Sequence, residues 1–278
     1  MIASTVSIVI VAHSELEDLK LCLASIRRHA ELPVQIVLVD NASEDGTVAW
    51  VREHEPSVEV VELSENIGVA ARGRGLELAR GELTMFLDSD AELTEGALSQ
   101  MTQAFNRHPD WGLIGPRLID AEGDLQLSAR RWPPRTLPIV RRPPLSWFLD
   151  DSAMVRRHLM ADVDHDRTRP VLYVLGACQL FRTSLARKAG PFPDWIFLGP
   201  DDIEWCIRIR DAGGEVVYFP EATVIHRYQR RTASSPVSRV ALRHLRSFAA
   251  FQWAYRRRRR EFLRLQDELD RRYEGAAA

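Results

Sequence analysis

Cysteine is scarce in this 278-residue sequence: Cys22, Cys178 and Cys206 are the whole supply, and neither their number nor their spacing builds a disulfide framework or a CxxC metal site. All three lie in apolar-periodic stretches and read as buried thiols of a reducing compartment. Long apolar runs are missing too, none reaching the ~18 residues that a membrane span requires. The apolar opening from Val6 to Ala12 has no cationic segment before it and no small-residue cleavage site after it, so it does not fit a signal peptide. These absences predict a soluble, cytoplasmic protein that meets the inner face of a membrane only at its own surface. Net charge is small as well, at −2, but unevenly spread: residues 239–264 hold nine arginines against the single acid Glu261, so the rest of the chain is acidic. With 45% apolar and 27% charged residues, the chain suits one large globular domain or one domain with a small appendage, and not a disordered chain.

What is present is alternation. Val- and Ile-rich runs at Val6 to Ala12, Val34 to Asp40, Val58 to Leu63 and Leu83 to Leu87 read as strands buried on both faces. Helical patterns separate and follow them at Glu15 to His29, Glu44 to His54, Val69 to Arg80 and Thr94 to Arg107. Strand alternating with helix predicts an α/β fold with a single doubly wound, mostly parallel sheet covered by helices on both faces. Ligands of such sheets bind beyond the carboxyl ends of the strands, where Asp40 and Asp88 stand. From Ser128 to Trp147 five prolines and five arginines occur with no acid, which predicts a long loop. Val171 to Phe181 restores strand character, and a helix is expected from about Asp201 to Ala212, ended by Gly213 and Gly214. Val216 to Phe219 and Ala222 to Ile225 read as two short strands. Beyond Val237 the pattern is one long helix with Leu242, Leu245, Phe248 and Phe251 on its apolar stripe.

The sharpest chemical signal is Asp88-Ser89-Asp90, directly after an apolar strand. In extended chain, positions i and i+2 project to one side, so both carboxylates can converge on a hard cation such as Mg²⁺ or Mn²⁺, and that ion can neutralise a leaving diphosphate. Solvated aspartates in a turn would look the same. Asp201, Asp202 and Glu204 open a helix, where acids are favoured by the macrodipole without any catalytic duty.

Order decides between these readings. Val6-Ser7-Ile8-Val9-Ile10-Val11, Val39-Asp40-Asn41-Ala42-Ser43 with Asp45-Gly46-Thr47, Asn66-Ile67-Gly68-Val69-Ala70-Ala71-Arg72 and Phe86-Leu87-Asp88-Ser89-Asp90 come in sequence, followed by Gly176-Ala177-Cys178 and by Gly199 to Arg208. This succession resembles family 2 glycosyltransferases, which have the GT-A fold, and is similar to their rhamnosyltransferase-like bacterial members. The resemblance spans roughly residues 5 to 230. It implies an inverting, metal-dependent transfer of a sugar from a nucleotide-diphosphate-sugar to an acceptor hydroxyl, in cell-envelope polysaccharide, lipid-linked glycan or natural-product glycosylation. It implies Asp40 at the nucleobase, Arg72 at the base or diphosphate, Asp88 at the ribose or sugar and also beside the metal, and Asp90 as metal ligand. Asp202 is implied as general base, with Gly176, Asp201 and Glu204 on the acceptor side. His226, 24 residues beyond Asp202, stands where family members carry a His that completes the metal or diphosphate site. The chain departs from the pattern at Gly73 (usually Asn), at His13-Ser14 (usually Tyr-Asn), and at Asp201 and Glu204, which replace the usual Glu and Asp. The departures at Gly73 and His13-Ser14 remove no carboxylate that the mechanism needs, whereas those at Asp201 and Glu204 leave open which carboxylate does which job.

Residues 1–120 are thus expected to bind the nucleotide-sugar, 121–235 to bind the acceptor within the same domain, and 236–278 to form a basic helical extension. The run Arg256 to Arg260 reads as a solvated helix face or as a contact for anionic lipid headgroups, and less well as a nucleic-acid site, so no nucleic acid is expected. Phe248, Phe251, Trp253 and Tyr255 suit an interfacial helix, packing on the body, or a homo-oligomer contact. Two alternatives use the same residues differently. A sugar-phosphate nucleotidyltransferase would need a basic, Gly-rich loop after the first strand, where this chain has Ala12-His13-Ser14-Glu15-Leu16-Glu17-Asp18. A non-enzymatic protein would use the Arg-rich tail to bind an anionic surface.

Overall fold

The β-branched runs at the start of the chain form the parallel half of one sheet: β1 (Val6–Ala12), β2 (Val34–Asp40), β3 (Glu59–Glu62) and β4 (Leu83–Asp88). The computed structural model describes residues 5–227 and 239–275. In β1 and β2 side chains alternate between two apolar layers. Ile8, Ile10 and Leu38 enter one core with α1 (Leu16–His29), whereas Val9 and Val37 enter the other with Phe86 and Trp205. α1 turns Leu19, Cys22, Leu23 and Ile26 onto the sheet at helical spacing, α2 (Thr47–His54) buries Val51, and α3 (Ala71–Leu78) crosses the opposite face. In parallel register, Ala12 of β1 pairs with Asp40 and Val11 with Asp88, so both acids leave the sheet at the same edge on either side of β1.

The second half departs from a purely parallel plan. β5 (Ala91–Leu93), α4 (Ala97–Arg107), β6 (Trp111–Ile119), β7 (Cys178–Arg182), α5 (Thr183–Ala189), α6 (Asp201–Asp211) and β8 (Glu215–His226) complete a mixed sheet in the order β3-β2-β1-β4-β7-β6-β8-β5. β7 lies antiparallel between β4 and β6, β8 runs parallel to β6, and β5 is antiparallel to β8. The two short strands expected between Val216 and Ile225 are one strand. It shifts register between Phe219 and Thr223, across Pro220, which has no N–H to give the ladder. The Pro- and Arg-rich stretch is more structured than a loop: Ala129–Arg130 pairs with Tyr173–Val174, and single helical turns form at Leu137–Val140 and Ser146–Leu149.

The expected single C-terminal helix is two, α7 (Arg239–Ala254) and α8 (Arg259–Gly275). Arg258 at the break donates to both carboxylate oxygens of Asp211 (2.6 and 2.8 Å), which folds the arginine run back onto the end of α6. Trp132 then lies between Phe251 of α7 and Phe262 of α8, with ring centroids 5.4 Å from each. Its backbone N–H donates to Gln266 (2.7 Å), and Arg131 pairs with Asp162 and Asp270. Phe248 and Phe251 therefore pack inward, while Leu242, expected on the apolar stripe, is 50% exposed. All three cysteines are buried and unpaired. No helix among the described residues is long and apolar enough to cross a membrane. The boundary expected between residues 235 and 236 lies outside the described residues.

Candidate active site

Arg72 is the hub of the cleft at the carboxyl edge of the sheet. The start of α3 is pinned by Asn41, whose amide donates to Asn66 Oδ1 and to the Gly68 carbonyl (3.1 Å each) and accepts from the Ile67 N–H (2.9 Å). Gly68 sits at φ +65°, where a Cβ would stand 2.1 Å from the Phe197 carbonyl oxygen, so only glycine lets this turn press against the 190–200 segment. Delivered from there, the buried Arg72 guanidinium donates to Asp88 Oδ1 (2.7 Å), Asp201 Oδ2 (3.1 Å) and the Gly176 carbonyl (3.1 Å). Burial opposes its charge, but Asp88, Asp201 and Asp202 outweigh that and hold it firmly protonated. The sequence pattern expected Arg72 at the base or diphosphate; here its terminal nitrogens hold two distant acidic motifs together.

The second acidic motif opens α6. Asp201 is buried and accepts from the Gly199 N–H (3.1 Å) as well as from Arg72. Half-buried Asp202 lies against Gly176, where a Cβ would fall 2.3 Å from Asp202 Oδ1 and 2.8 Å from Arg72 Nη1. Burial, then the charges of Asp201 and Asp88, push the Asp202 carboxyl well above the usual carboxylate range, against the pull of Arg72 and Arg130. Glu204, expected on the acceptor side, is not brought into this cluster. It is buried one turn along α6 and ion-paired with Arg208 (3.3 Å), and burial raises its carboxyl against the opposing influence of Tyr255 and Arg208.

Asp88, Asp90 and His226 form a third group, with one potential ligand atom from each lying within 4.8 Å of the others. The sheet explains the meeting: β8 pairs antiparallel with β5, His226 opposite Ala91, and the Arg227 N–H donates to the Asp90 carbonyl (2.9 Å). His226 Nε2 stands 3.5 Å from Asp90 Oδ1. Burial alone would depress the imidazole, but the hydrogen bond to Asp90 and the charges of Asp90 and Asp88 hold it above its ordinary value. Asp88, with a side chain 38% exposed, is pushed up by burial and by Asp90 against the pull of Arg72 and His226. Two carboxylates and an imidazole converging at this spacing fit a divalent cation that accepts mixed oxygen and nitrogen ligands.

Gln126 was not anticipated. Its amide donates to the His226 carbonyl (2.6 Å), and its Oε1 faces His226 Nδ1 (2.9 Å). With Nδ1–H donating to Gln126, the Nε2 lone pair is left for the cleft. The sequence signal was the Asp120-to-Asp124 turn, where Asp120 Oδ1 accepts the N–H groups of Glu122 and Asp124 and reverses the chain so that Gln126 pairs with Leu118 of β6. On the far side of the cleft, Asp40 is buried. Its Oδ2 accepts the Ser43 N–H (3.0 Å), while its Oδ1 has no hydrogen-bond partner among the described residues. A buried carboxylate oxygen left unmatched costs on the order of 1–3 kcal/mol, so its place in the cleft suits a ligand N–H.

Residues 7–188 match the family model for glycosyl transferase family 2. A curated relative, N-acetylglucosaminyl-diphospho-decaprenol L-rhamnosyltransferase of Mycobacterium tuberculosis, is 26% identical over 85% of this chain and 80% of its own length. Among solved structures, a mannosyltransferase from Pyrobaculum calidifontis in complex with GDP-Man and Mn²⁺ superposes with a TM-score of 0.60 at 22% identity, over 88% of this chain and 63% of that one. S. aureus TarS 1-349 in complex with UDP-GlcNAc gives 0.61 at 17% identity, over 88% and 66%. These likenesses show the GT-A fold, and they do not favour the nucleotidyltransferase alternative.

Proposed function

The chain belongs to glycosyl transferase family 2, and on that premise we propose that it is an inverting, metal-dependent enzyme that moves a sugar from a nucleotide-diphosphate-sugar to a hydroxyl of a lipid-linked acceptor. The observation that carries the proposal is the Arg72 guanidinium bound to Asp88 and Asp201 at once, so that the acids of the donor side and of the acceptor side share one buried cation. In this reading residues 1–120 supply the donor side and residues 121–235 the acceptor side.

Asp40 Oδ1 accepts an N–H from the nucleobase edge, which suits uracil, thymine or guanine because each presents such a donor. Asp88, Asp90 and His226 are the residues that would hold Mg²⁺ or Mn²⁺. When bound, such an ion supplies positive charge beside the departing diphosphate. Asp202, its proton affinity raised by burial and by Asp201, takes the proton of the acceptor hydroxyl. The hydroxyl oxygen attacks the anomeric carbon from the face opposite the diphosphate, the carbon–oxygen bond to the diphosphate breaks, and the configuration inverts. Arg72 and the Gly199 N–H keep Asp201 from drifting, and Gly176 keeps the space beside Asp202 open. The mycobacterial relative is named for a decaprenol-linked acceptor, which supports a lipid-linked one here.

The test is Asp202→Asn. Donor binding should survive while transfer falls by about 10²–10⁴-fold, the usual share of general-base catalysis. Transfer at the parental rate would remove Asp202 from the mechanism.

A further inference from the structure

Among the described residues, Phe148 and Trp147 are the most exposed large apolar side chains, at 81% and 74%. They stand on the single helical turn Ser146–Leu149, with exposed Ile139 and Leu145 just before them. Arg142 ties this segment to α7 by donating to the Ala241 carbonyl (3.1 Å), and the residues on either side of Ala241, Val240 and Leu242, are exposed as well. Six exposed apolar side chains are thus carried on the Leu137–Val140 and Ser146–Leu149 turns and on the start of α7, which Arg142 ties together. Scattered single hydrophobics need no explanation, but a clustered aromatic set does.

Basic charge exceeds acidic on these segments: Asp150 and Asp151 pair with Arg141 and Arg156 (3.1 and 3.0 Å), while Arg135 and Arg246 are exposed and Arg243 lies over the Phe197 ring (4.2 Å). Exposed Trp and Phe side chains on segments that also carry exposed arginine match the boundary of an anionic bilayer, where rings enter the headgroup layer and guanidinium groups meet phosphate. The face also borders the acceptor side of the cleft. Arg142 donates to His244 Nδ1 (3.1 Å), the His244 ring fills the space where a Cβ on Gly199 would stand (2.3 Å from Cδ2), and the Gly199 N–H holds Asp201. We propose that the face formed by residues 139–148 and 240–242 docks on an anionic lipid bilayer and turns the Asp201–Asp202 side of the cleft toward the lipid surface. This surface differs from the Arg256 to Arg260 run, whose Arg258 is engaged by Asp211 and Glu261.

Flotation with unilamellar vesicles tests it. The full chain should float with vesicles of phosphatidylglycerol mixed into phosphatidylcholine and remain behind with phosphatidylcholine alone. A double variant Trp147→Ser, Phe148→Ser should lose at least tenfold in vesicle affinity with its melting temperature and sugar-nucleotide binding unchanged, since both side chains are mostly in water. The proposal is overturned if the parent does not float, or if the double variant floats like the parent; loss of flotation on replacement of Arg256 to Arg260 by Ser would then assign lipid contact to that run. A parental dimer that the double variant converts to monomer would also overturn it, assigning the face to a second copy. Flotation with no sugar-nucleotide binding would sink the transferase reading alone.

Discussion

Gly176→Ala perturbs the cleft with a single carbon. Gly176 has a backbone that any residue adopts, so the effect comes from space: the new Cβ would lie 2.3 Å from Asp202 Oδ1 and 2.8 Å from Arg72 Nη1. Restoring an ordinary contact of about 3.4 Å moves the Asp202 carboxylate by roughly 1 Å, and misplacement on that scale costs on the order of 10²-fold in turnover. If Arg72 yields as well, its bond to Asp201 (3.1 Å) weakens, and a hydrogen bond between charged groups contributes about 1.5–3 kcal/mol. The variant should therefore bind the donor near the parental affinity, because Asp40 and Asp90 are untouched, while kcat falls about a hundredfold. Donor titration calorimetry beside steady-state transfer kinetics separates the two quantities. Parental kcat with a folded Gly176→Ala protein would refute the placement of Asp202 against Gly176. A fall in donor affinity without a fall in kcat would show that the crowding acts on the wrong half of the cleft.

Gln126→Leu should weaken Mn²⁺ binding by about 10–100-fold, the usual effect of losing the partner that orients a ligand histidine, whereas Gln126→Glu, which still accepts from Nδ1–H, should recover much of it; electron paramagnetic resonance of bound Mn²⁺ reads this without turnover, and equal affinity in all three proteins would remove Gln126 from the site. Burial and the charge of Arg130 hold the His158 imidazole down to about 3, so the folded state keeps it neutral while the unfolded chain takes up a proton near pH 6.5. Its folded value is depressed, so the stability it carries is full above pH 6.5 and is lost as pH falls toward 3; between pH 8 and pH 5.5 that is about 1.4 kcal/mol. Denaturant unfolding at the two pH values reads the His158 share as the contrast between parent and variant, because upward-shifted groups such as His226 and Asp202 move the parent's total the other way. His158→Asn should flatten the difference, and an unchanged slope would refute the assignment.

The parallel half of the sheet was legible because its strands are unbroken β-branched runs, and β1 and β2 were bounded to the residue. Asp88 and Asp90 were legible as a pair because they follow such a run directly. β6 was not, because Gly112, Gly115 and Pro116 interrupt its apolar pattern, and a sheet neighbour rather than local propensity makes it a strand. The meeting of His226 with Asp90 comes from the antiparallel register of β8 on β5, which no local pattern carries. The partner of Glu204 was not legible for a related reason: sharing the first turn of α6 with Asp201 and Asp202 does not say which way a side chain turns, and Glu204 turns to Arg208 of its own helix. The break between α7 and α8 was hidden because Arg256 to Arg260 is compatible with helix, and the bond from Arg258 to Asp211 is not local.

The central claim is that acids from two distant stretches build one cation-dependent donor site. A thermal-shift panel of nucleotide-diphosphate sugars with and without Mn²⁺, run on the parent and on Asp90→Ala, tests it most directly. The account predicts that one donor raises the melting temperature of the parent only when Mn²⁺ is present and that Asp90→Ala loses this response. Stabilisation independent of Mn²⁺, or an undiminished response in Asp90→Ala, would contradict it.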